Sequence, residues 1–454
     1  MSFDKYMVVA VGTDALPVAT AGFTIPLHAT SDVTFAERVR EYNSSAEAAA
    51  DAYVGTDAAA AVAQHFAQAL HAPVIKLGRM AAVAAAQVID WVIAGTPVAG
   101  DVAAITVNGV TGTYTAGATP TVDSVAAGLR AALVTALAAE DVTVTGATSH
   151  IIVTADLAGQ GFTYSSAYTR ATGSSGTITA TVTTANAGPY TDMDAIYFED
   201  PSWFGLTNGL TAVEATNELR IKELARWAEA NDKLFLAQTL DPDALTSTPD
   251  NILDYLEDRS FGNTCGVWHH DNDELLAVGA MAYKFQADPD VKSTGWAYTP
   301  VTGVSLKSPK LTSSEESALD AYNASYLSTL GGTNVFGLGH VASSRPIDLV
   351  ITLAWYAARL AEAYQQLFAD VSARNDKIGY SDVELQALAN AAQEINSIGE
   401  RVKHFVPGSG TAVVTKVADI PAGTKALRQV PVTASAIALG SAERVSVTAY
   451  VALP

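Results

Sequence analysis

Residues 211–239 read TAVEATNELRIKELARWAEANDKLFLAQT. Thr211 and Glu214 have the spacing of a capping box: the hydroxyl can accept from the third amide of a helix while the carboxylate reaches back to the first. Ile221, Leu224, Ala225 and Ala228 then recur at the spacing of one apolar helix face. Leu234 to Ala237 follow as a short apolar run, which reads as a buried strand. Downstream the same alternation continues, with a helix near Pro249 to Leu256, a strand over Cys265 to Trp268 and a helix over Leu275 to Tyr283. Strands that alternate with helices in this way predict a largely parallel sheet with helices on its faces.

The upstream third begins with a strand over Tyr6 to Val11 and an arm containing Pro17, Gly22 and Pro26. Ser44 and Glu47 form a second capping box ahead of an alanine-rich helix. A further helix places Val62, Phe66, Ala69 and Leu70 on one face, ends at Pro73, and gives way to a strand over Val74 to Leu77. In the last third, Leu353, Tyr356, Leu360, Tyr364 and Leu367 share one helix face. Leu385, Leu388, Ala392 and Ile395 share another on a helix capped by Ser381 and Glu384. The chain closes on two alternating runs, Leu427 to Leu439 and Arg444 to Leu453, parted by Gly440-Ser441. Pro431 cannot donate to a ladder, so its strand belongs at an edge or a bulge.

Between these parts the composition changes. From Thr96 to Gly188 the chain is rich in Thr, Val, Ala and Gly, and Arg130 and Arg170 are its only Lys or Arg residues. Ile105 and Val107 alternate with polar neighbours, Asn108-Gly109 marks a hairpin turn, and Tyr114 lies in the returning strand. One helix spans Val122 to Leu137, and strands follow at Val142 to Val144, Ile151 to Val153 and Ile178 to Val182. A β-rich module with α/β pattern on both sides reads as a domain inserted in a loop of another.

The whole chain has 454 residues and a mass of 47.1 kDa, enough for roughly three domains. Hydrophobic residues make up 49%, so sizeable cores can form, while charged residues make up only 16%. That is low for a free soluble chain, whose share is about 25%, and suggests surface covered by partners. With 47 acidic against 26 basic residues the net charge is −21. That balance argues against nucleic-acid phosphate or anionic membrane as the main partner. The single Cys265 allows no intrachain disulfide and fits a reducing compartment. The N-terminus lacks the basic and apolar regions of a signal peptide, and the apolar window Met80 to Gly95 is broken by Gln87 and Asp90.

Residues with chemical potential do not assemble into a recognisable site. His269-His270-Asp271 and Asp273 hold metal-ligand types, yet adjacent histidines after a strand point to opposite sides. His340, Ser343 and Asp348 supply the residue types of a hydrolytic triad, without the Gly-x-Ser-x-Gly elbow that would present a nucleophile. Gly331-Gly332 and Gly337-x-Gly339 lack the lysine of a phosphate loop and read as turns. Asp192, Asp194, Glu199 and Asp200 lack calcium-loop spacing and read as a solvated face. Tyr197, Phe198, Trp203 and Phe204 read as core or interface. On the residues alone no active site emerges, and no cofactor or metal is expected.

Several stretches resemble contractile phage tail sheath proteins. They are Phe35, Arg38, Val39, Tyr42, Ser44 and Ser45, then FAQ at 66–68 and PVIKLGR at 73–79. WAEANDKLFLAQT at 227–239, GWAY at 295–298, AYNASYLSTLGG at 321–332 with Ile347-Asp348, and KIGYSD at 377–382 are similar as well. The resemblance implies an α+β multidomain chain: an N-terminal arm (1–30), a discontinuous α/β core with a mixed sheet (31–95 and 189–345), an inserted protruding β-rich domain (96–188) and a C-terminal helix-plus-strand domain (346–454). It implies a non-enzymatic subunit that stacks as hexameric rings around a tail tube, meets baseplate and terminator proteins, and contracts to drive the tube through a host envelope. It places the protein in the virion tail after assembly in the host cytoplasm, without bound nucleic acid or membrane insertion. It also implies that terminal strands pair with neighbouring subunits. In this sequence those strands carry Tyr6, Val8, Val9 and Val11 at one end and Val445, Val447, Ala449, Val451 and Leu453 at the other. The alternatives are another repeated virion or surface-array protein and a subtilisin-like hydrolase.

Overall fold

The computed structural model describes residues 22–81, 85–210, 214–246, 248–249, 251–441 and 443. The strand residues Tyr6 to Val11 and Val445 to Leu453, and Thr211 of the capping box, lie outside these described residues. Among the described residues the chain forms two compact units, one of residues 22–78, 200–221 and 225–443, the other of 79–199 and 222–224. The fold is mixed α and β.

In chain order the strands are β1 (Pro26–Thr30), β2 (Val39–Tyr42) and β3 (Ile75–Arg79), then β4 (Val88–Ala94), β5 (Val102–Val107) and β6 (Val110–Thr115). They continue as β7 (Val142–Thr145), β8 (His150–Ala155), β9 (Tyr164–Thr169), β10 (Thr177–Thr184), β11 (Gly205–Asn208) and β12 (Leu234–Thr239). The last are β13 (Thr264–Trp268), β14 (Thr299–Pro300), β15 (Ser325–Leu330), β16 (Thr333–Phe336), β17 (Thr411–Val414) and β18 (Val432–Ser435).

The first unit is built on a nine-stranded sheet of order β14-β16-β15-β13-β12-β11-β1-β3-β2. Its centre is parallel, from β1 through β11, β12 and β13 to β15, and antiparallel pairs close both ends. The predicted helix after Thr211 and the strand after it appear as helix Glu214–Ala230 and β12. Every residue of β1, β11, β12 and β13 is buried, as expected for parallel strands covered on both faces. Residues 26–30, grouped with an arm on sequence, are thus a central strand. Pro26 is tolerated because it opens the strand.

Two helix readings change. The 56–66 helix stops seven residues before Pro73, because Gln68 leaves the helical ladder to bond both the amide and the carbonyl of Thr302. Leu70, expected on its apolar face, is exposed. On the long helix Ile347–Ala373, Leu353 is half exposed while Ile347, Val350, Trp355 and Leu360 are buried. The helix Asp382–Arg401 follows expectation: Ser381 Oγ accepts from the Glu384 amide, and Leu385, Leu388, Ala392 and Ile395 are buried. At the first capping box Ser44 accepts from Glu47 N, while the Glu47 carboxylate takes the amide of Asn43.

The second unit pairs a four-stranded sheet, β10-β4-β8-β7, with a three-stranded one, β6-β5-β9. Helix Val122–Ala136 contributes Val125, Ala126, Leu129 and Leu133 to a core with Ile89, Trp91, Ile93, Ile105, Val107, Ile151 and Val153. The β5–β6 turn has Asn108 and Gly109 at positive φ, the hairpin geometry that Asn-Gly favours. Strand β4 precedes the composition change at Thr96 and pairs with β8 and β10 beyond it. A bridge between Ala85 and Ala187, with Ala85 N donating to Ala187 O over 2.8 Å, brings the two ends of the unit together.

Candidate assembly interface

The last described part of the chain carries surface with no partner inside it. β17 and β18 form a two-stranded antiparallel sheet in the register Thr411–Ser435 to Val414–Val432. A two-stranded ribbon alone is marginal in water; this one rests Ala412 and Ala434 against the core that contains Ile395, and Val414 and Val432 against Leu385, Leu388 and Ile420. The opposite face presents Thr411, Val413, Thr433 and Ser435, with Val413 63% exposed and Ile437 beyond the strand 64% exposed. Among the described residues neither outer edge of this pair is hydrogen-bonded to a further strand. The predicted strand Leu427 to Leu439 is shorter than its alternation suggested: the strand runs over Val432–Ser435, and Arg428 sits at a φ of 56°.

Below this ribbon lies a dense polar and aromatic joint. Trp355 stacks on His404 at 4.6 Å, and Phe405 meets Tyr356 edge-on at 5.0 Å. His404 bonds Thr352 Oγ1 at 2.7 Å and the Pro289 carbonyl at 3.1 Å. Asp290 accepts from Trp355 Nε1 and Arg359 Nε, both at 2.7 Å. Burial alone would raise the Asp290 carboxyl, but the bonds from Arg359 and Trp355 outweigh it and hold it below the usual carboxylate range. Burial lowers His404 below the usual histidine value.

From this joint successive tethers hold the chain as far as Glu443. Ile437 O accepts from Val406 N, and Leu439 N donates to His404 O, each over 2.8 Å. Ser441 Oγ donates to Asp348 Oδ2 at 2.6 Å. Glu443 is held twice, its carboxylate by His340 Nε2 at 2.9 Å and its carbonyl by the Tyr298 hydroxyl at 3.0 Å.

These bonds also engage two of the three residues of the hydrolytic constellation. His340 faces Glu443, Asp348 takes Ser441 and the Leu349 amide, and Ser343 Oγ has no hydrogen-bond partner among the described residues. Of the histidine pair, His269 is engaged: its Nε2 meets Glu274 at 2.8 Å, and Glu274 also accepts from the Ser305 amide. Among the described residues no group of three or more His, Cys, Asp or Glu is placed to hold a metal ion. Asp192 accepts from the Ala81 amide, and Asp200 from buried Lys76 and from Ser202. Asp192 and Asp200 thus serve structural bonds, while Asp194 and Glu199 are exposed as a solvated face would have them.

Gly331 and Gly332 take the positive φ values of the β15–β16 hairpin turn. Trp203 and Phe204 are core residues, Trp203 stacked on Trp227 at 5.6 Å, whereas Phe198 is 91% exposed. Burial pushes the Cys265 thiol up to about 12, so it is not a reactive thiolate. A cavity of about 150 Å³ is lined by Trp268, His270, Lys307 and Lys310, but Glu315 pairs with Lys307 and Glu316 shares the wall, which offsets its charge. Among the described residues no helix is long and apolar enough to cross a membrane.

The sequence matches no protein-family model and no curated protein significantly. Solved structures do match. The chain is similar to the helical sheath of the anti-feeding prophage in its contracted state, with a TM-score of 0.51 and 10% identity over 98% of this chain and 99% of that one. It is also similar to the sheath tail protein Lin1278 of Listeria innocua (TM-score 0.44, 9% identity, 92% and 95% covered). A third match is the sheath tail protein DSY3957 of Desulfitobacterium hafniense (TM-score 0.43, 11% identity, 95% and 100% covered). At these identities the likeness is one of fold, and it rests on the first: the chain has the fold of a contractile-tail sheath protein over nearly its whole length.

Proposed function

We propose that the chain is the structural subunit of a contractile phage tail sheath. It polymerises as stacked hexameric rings around a tail tube and contracts to drive that tube through the host envelope, ending in the virion tail after assembly in the host cytoplasm. The observation that carries this reading is the end-to-end fold likeness to the contracted sheath. Support comes from the chain itself. His340, Asp348 and His269 are taken up in structural bonds, charge density is low, and an open two-stranded ribbon precedes the last residues of the chain.

On this reading the ribbon β17–β18 is an acceptor for strands of neighbouring subunits. The donors are the N-terminal strand with Tyr6, Val8, Val9 and Val11 and the C-terminal strand with Val445, Val447, Ala449, Val451 and Leu453. Ladder bonds then tie copies together by β-augmentation while the globular parts reorient. Each such bond contributes a net ~0.5–1.5 kcal/mol, so a strand of several bonds gives a linkage of a few kcal/mol. The β-rich module projects from the outside of the assembly, and the remaining partners are the tube, baseplate and terminator proteins. No enzymatic activity is assigned.

Negative-stain electron microscopy of the purified full chain, beside a chain lacking Glu443 to Pro454, tests this. Striated tubes from the full chain alone, with near-native circular dichroism for the truncated one, are expected. Discrete small oligomers from the full chain would favour an enzyme or another array protein.

A further inference from the structure

We propose that His340, Tyr298 and Asp348 are positioning residues that clamp Ser441 and Glu443 to the subunit's own body, so that the C-terminal strand departs from one fixed point and in one direction. This rests on the strand-exchange reading above and adds what aims the strand.

The clamp grips the chain end by backbone and side chain together. Tyr298 Oη donates to the Glu443 carbonyl at 3.0 Å, and His340 Nε2 lies 2.9 Å from its carboxylate. One bond fixes the position of Glu443, and the second fixes its rotation. Two residues earlier, Ser441 Oγ donates at 2.6 Å to Asp348, which is 5% exposed and whose other oxygen takes the Leu349 amide at the start of the long helix. The close approach of Ser441 requires glycine at 295, because a Cβ there would lie 2.6 Å from Ser441 Oγ.

The receptor is built at some conformational expense. Tyr298 sits at a φ of 57°, a left-handed conformation that a bulky residue adopts only where its surroundings over-determine it. Its amide is tied to the Gly337 carbonyl at 3.0 Å, so its hydroxyl is held out to one side, where Glu443 lies. The three grips come from three places in the sequence: the 295–298 turn, the 340 bridge and the 348 helix start. Together they fix the root of whatever follows residue 443. A strand with a fixed root loses less freedom when it pairs with a neighbour than one swinging from residue 439, and that preorganisation favours assembly.

The test uses the full-length chain and exploits Arg444, a trypsin site directly after the clamp. His340→Ala and Tyr298→Phe remove one grip each, Gly295→Ala dislodges Ser441, and His340→Gln keeps an N–H donor. In the unassembled chain, cleavage after Arg444 should rise severalfold in the first three variants and return toward the parent rate in His340→Gln, with the urea midpoint unchanged throughout. The concentration threshold for assembly should rise in the same order, by roughly threefold to tenfold. Equal cleavage rates in all variants would overturn the clamp, as would cleavage that rises only with lost global stability. Faster cleavage with an unmoved threshold in an assembling chain would show that the clamp does not aim the strand. A parent chain that never assembles would instead sink strand exchange and the positioning role with it, while the cleavage rates still report whether the tether exists.

Discussion

Gly399→Ala sets two effects of opposite sign against each other. Gly399 lies in the last turn of the helix Asp382–Arg401, and on propensity alone alanine would stabilise that helix by about 1 kcal/mol. The site has no room for it. A Cβ at 399 would lie 3.2 Å from Trp355 Cζ3 and far closer still to the ring of Phe405. Phe405 cannot retreat, since Tyr356 and Trp355 stand against its ring, and its own amide together with that of His404 is bonded to the Gly399 carbonyl. Overpacking of this kind costs about 1–3 kcal/mol, and a boxed-in aromatic ring puts it at the upper end. The net expectation is a loss of about 2 kcal/mol. Urea unfolding of the unassembled chain should show a lower midpoint with an unchanged slope. Because Phe405 also bridges Ala438, the displaced ring should disturb the chain end and raise the assembly threshold as well. Adding Phe405→Leu to Gly399→Ala should recover part of the loss. A Gly399→Ala chain as stable as its parent, or more so, would refute the packing argument and leave propensity in charge.

Replacing residues 86–186 by a short Gly/Ser linker should leave a folded first unit with one cooperative unfolding transition, because the Ala85–Ala187 bridge already joins the ends. Cutting only 96–188 should yield an aggregating product, since β4 would keep Ile89, Trp91 and Ile93 without their sheet. Ser343→Ala removes a hydroxyl with no bonding partner among the described residues, so stability should hold or rise by up to about 1 kcal/mol; stoichiometric fluorophosphonate labelling of Ser343 would revive the hydrolase reading. Acid should weaken the fold before its carboxylates titrate. Burial, then the charge of Arg220, lowers His28 to about 3, and burial lowers His65 to about 4. Both stay neutral in the folded chain while the unfolded chain takes up protons below about 6.5, so stability falls as pH falls through that value. Between pH 7 and 5 the loss is about 2 kcal/mol for His28 alone. A urea midpoint equal at pH 7 and 5 would contradict this, and His28→Asn should flatten the dependence.

Much of the framework was readable where one period ran long enough to dominate. Ile221 to Ala228 and Leu385 to Ile395 mark helix faces, and Asn108-Gly109 marks a turn through its left-handed backbone. Strand β1 was not readable, because PLHAT is buried on both faces and so has no alternation to show. Strand β9, YSSAYT, was missed because it is exposed along most of its length and lacks an apolar period. Helix ends set by tertiary bonds were also hidden, as Gln68 shows by bonding a residue 234 positions away. The clamp was hidden for the same reason, since His340 and Glu443 lie 103 residues apart and nothing local marks either one. The alternation after Arg444 lies outside the described residues.

The most direct test is a reconstruction of the assembled protein, from electron images, fine enough to trace each chain from Ser435 to its end. The account predicts that the strand beginning at Arg444 leaves its own subunit at the clamp on His340 and Tyr298, and pairs with the β17–β18 ribbon of another copy. Tubes in which every copy's terminal strand returns to its own ribbon would contradict strand exchange. Assemblies without a central channel for a tube would contradict the sheath reading itself.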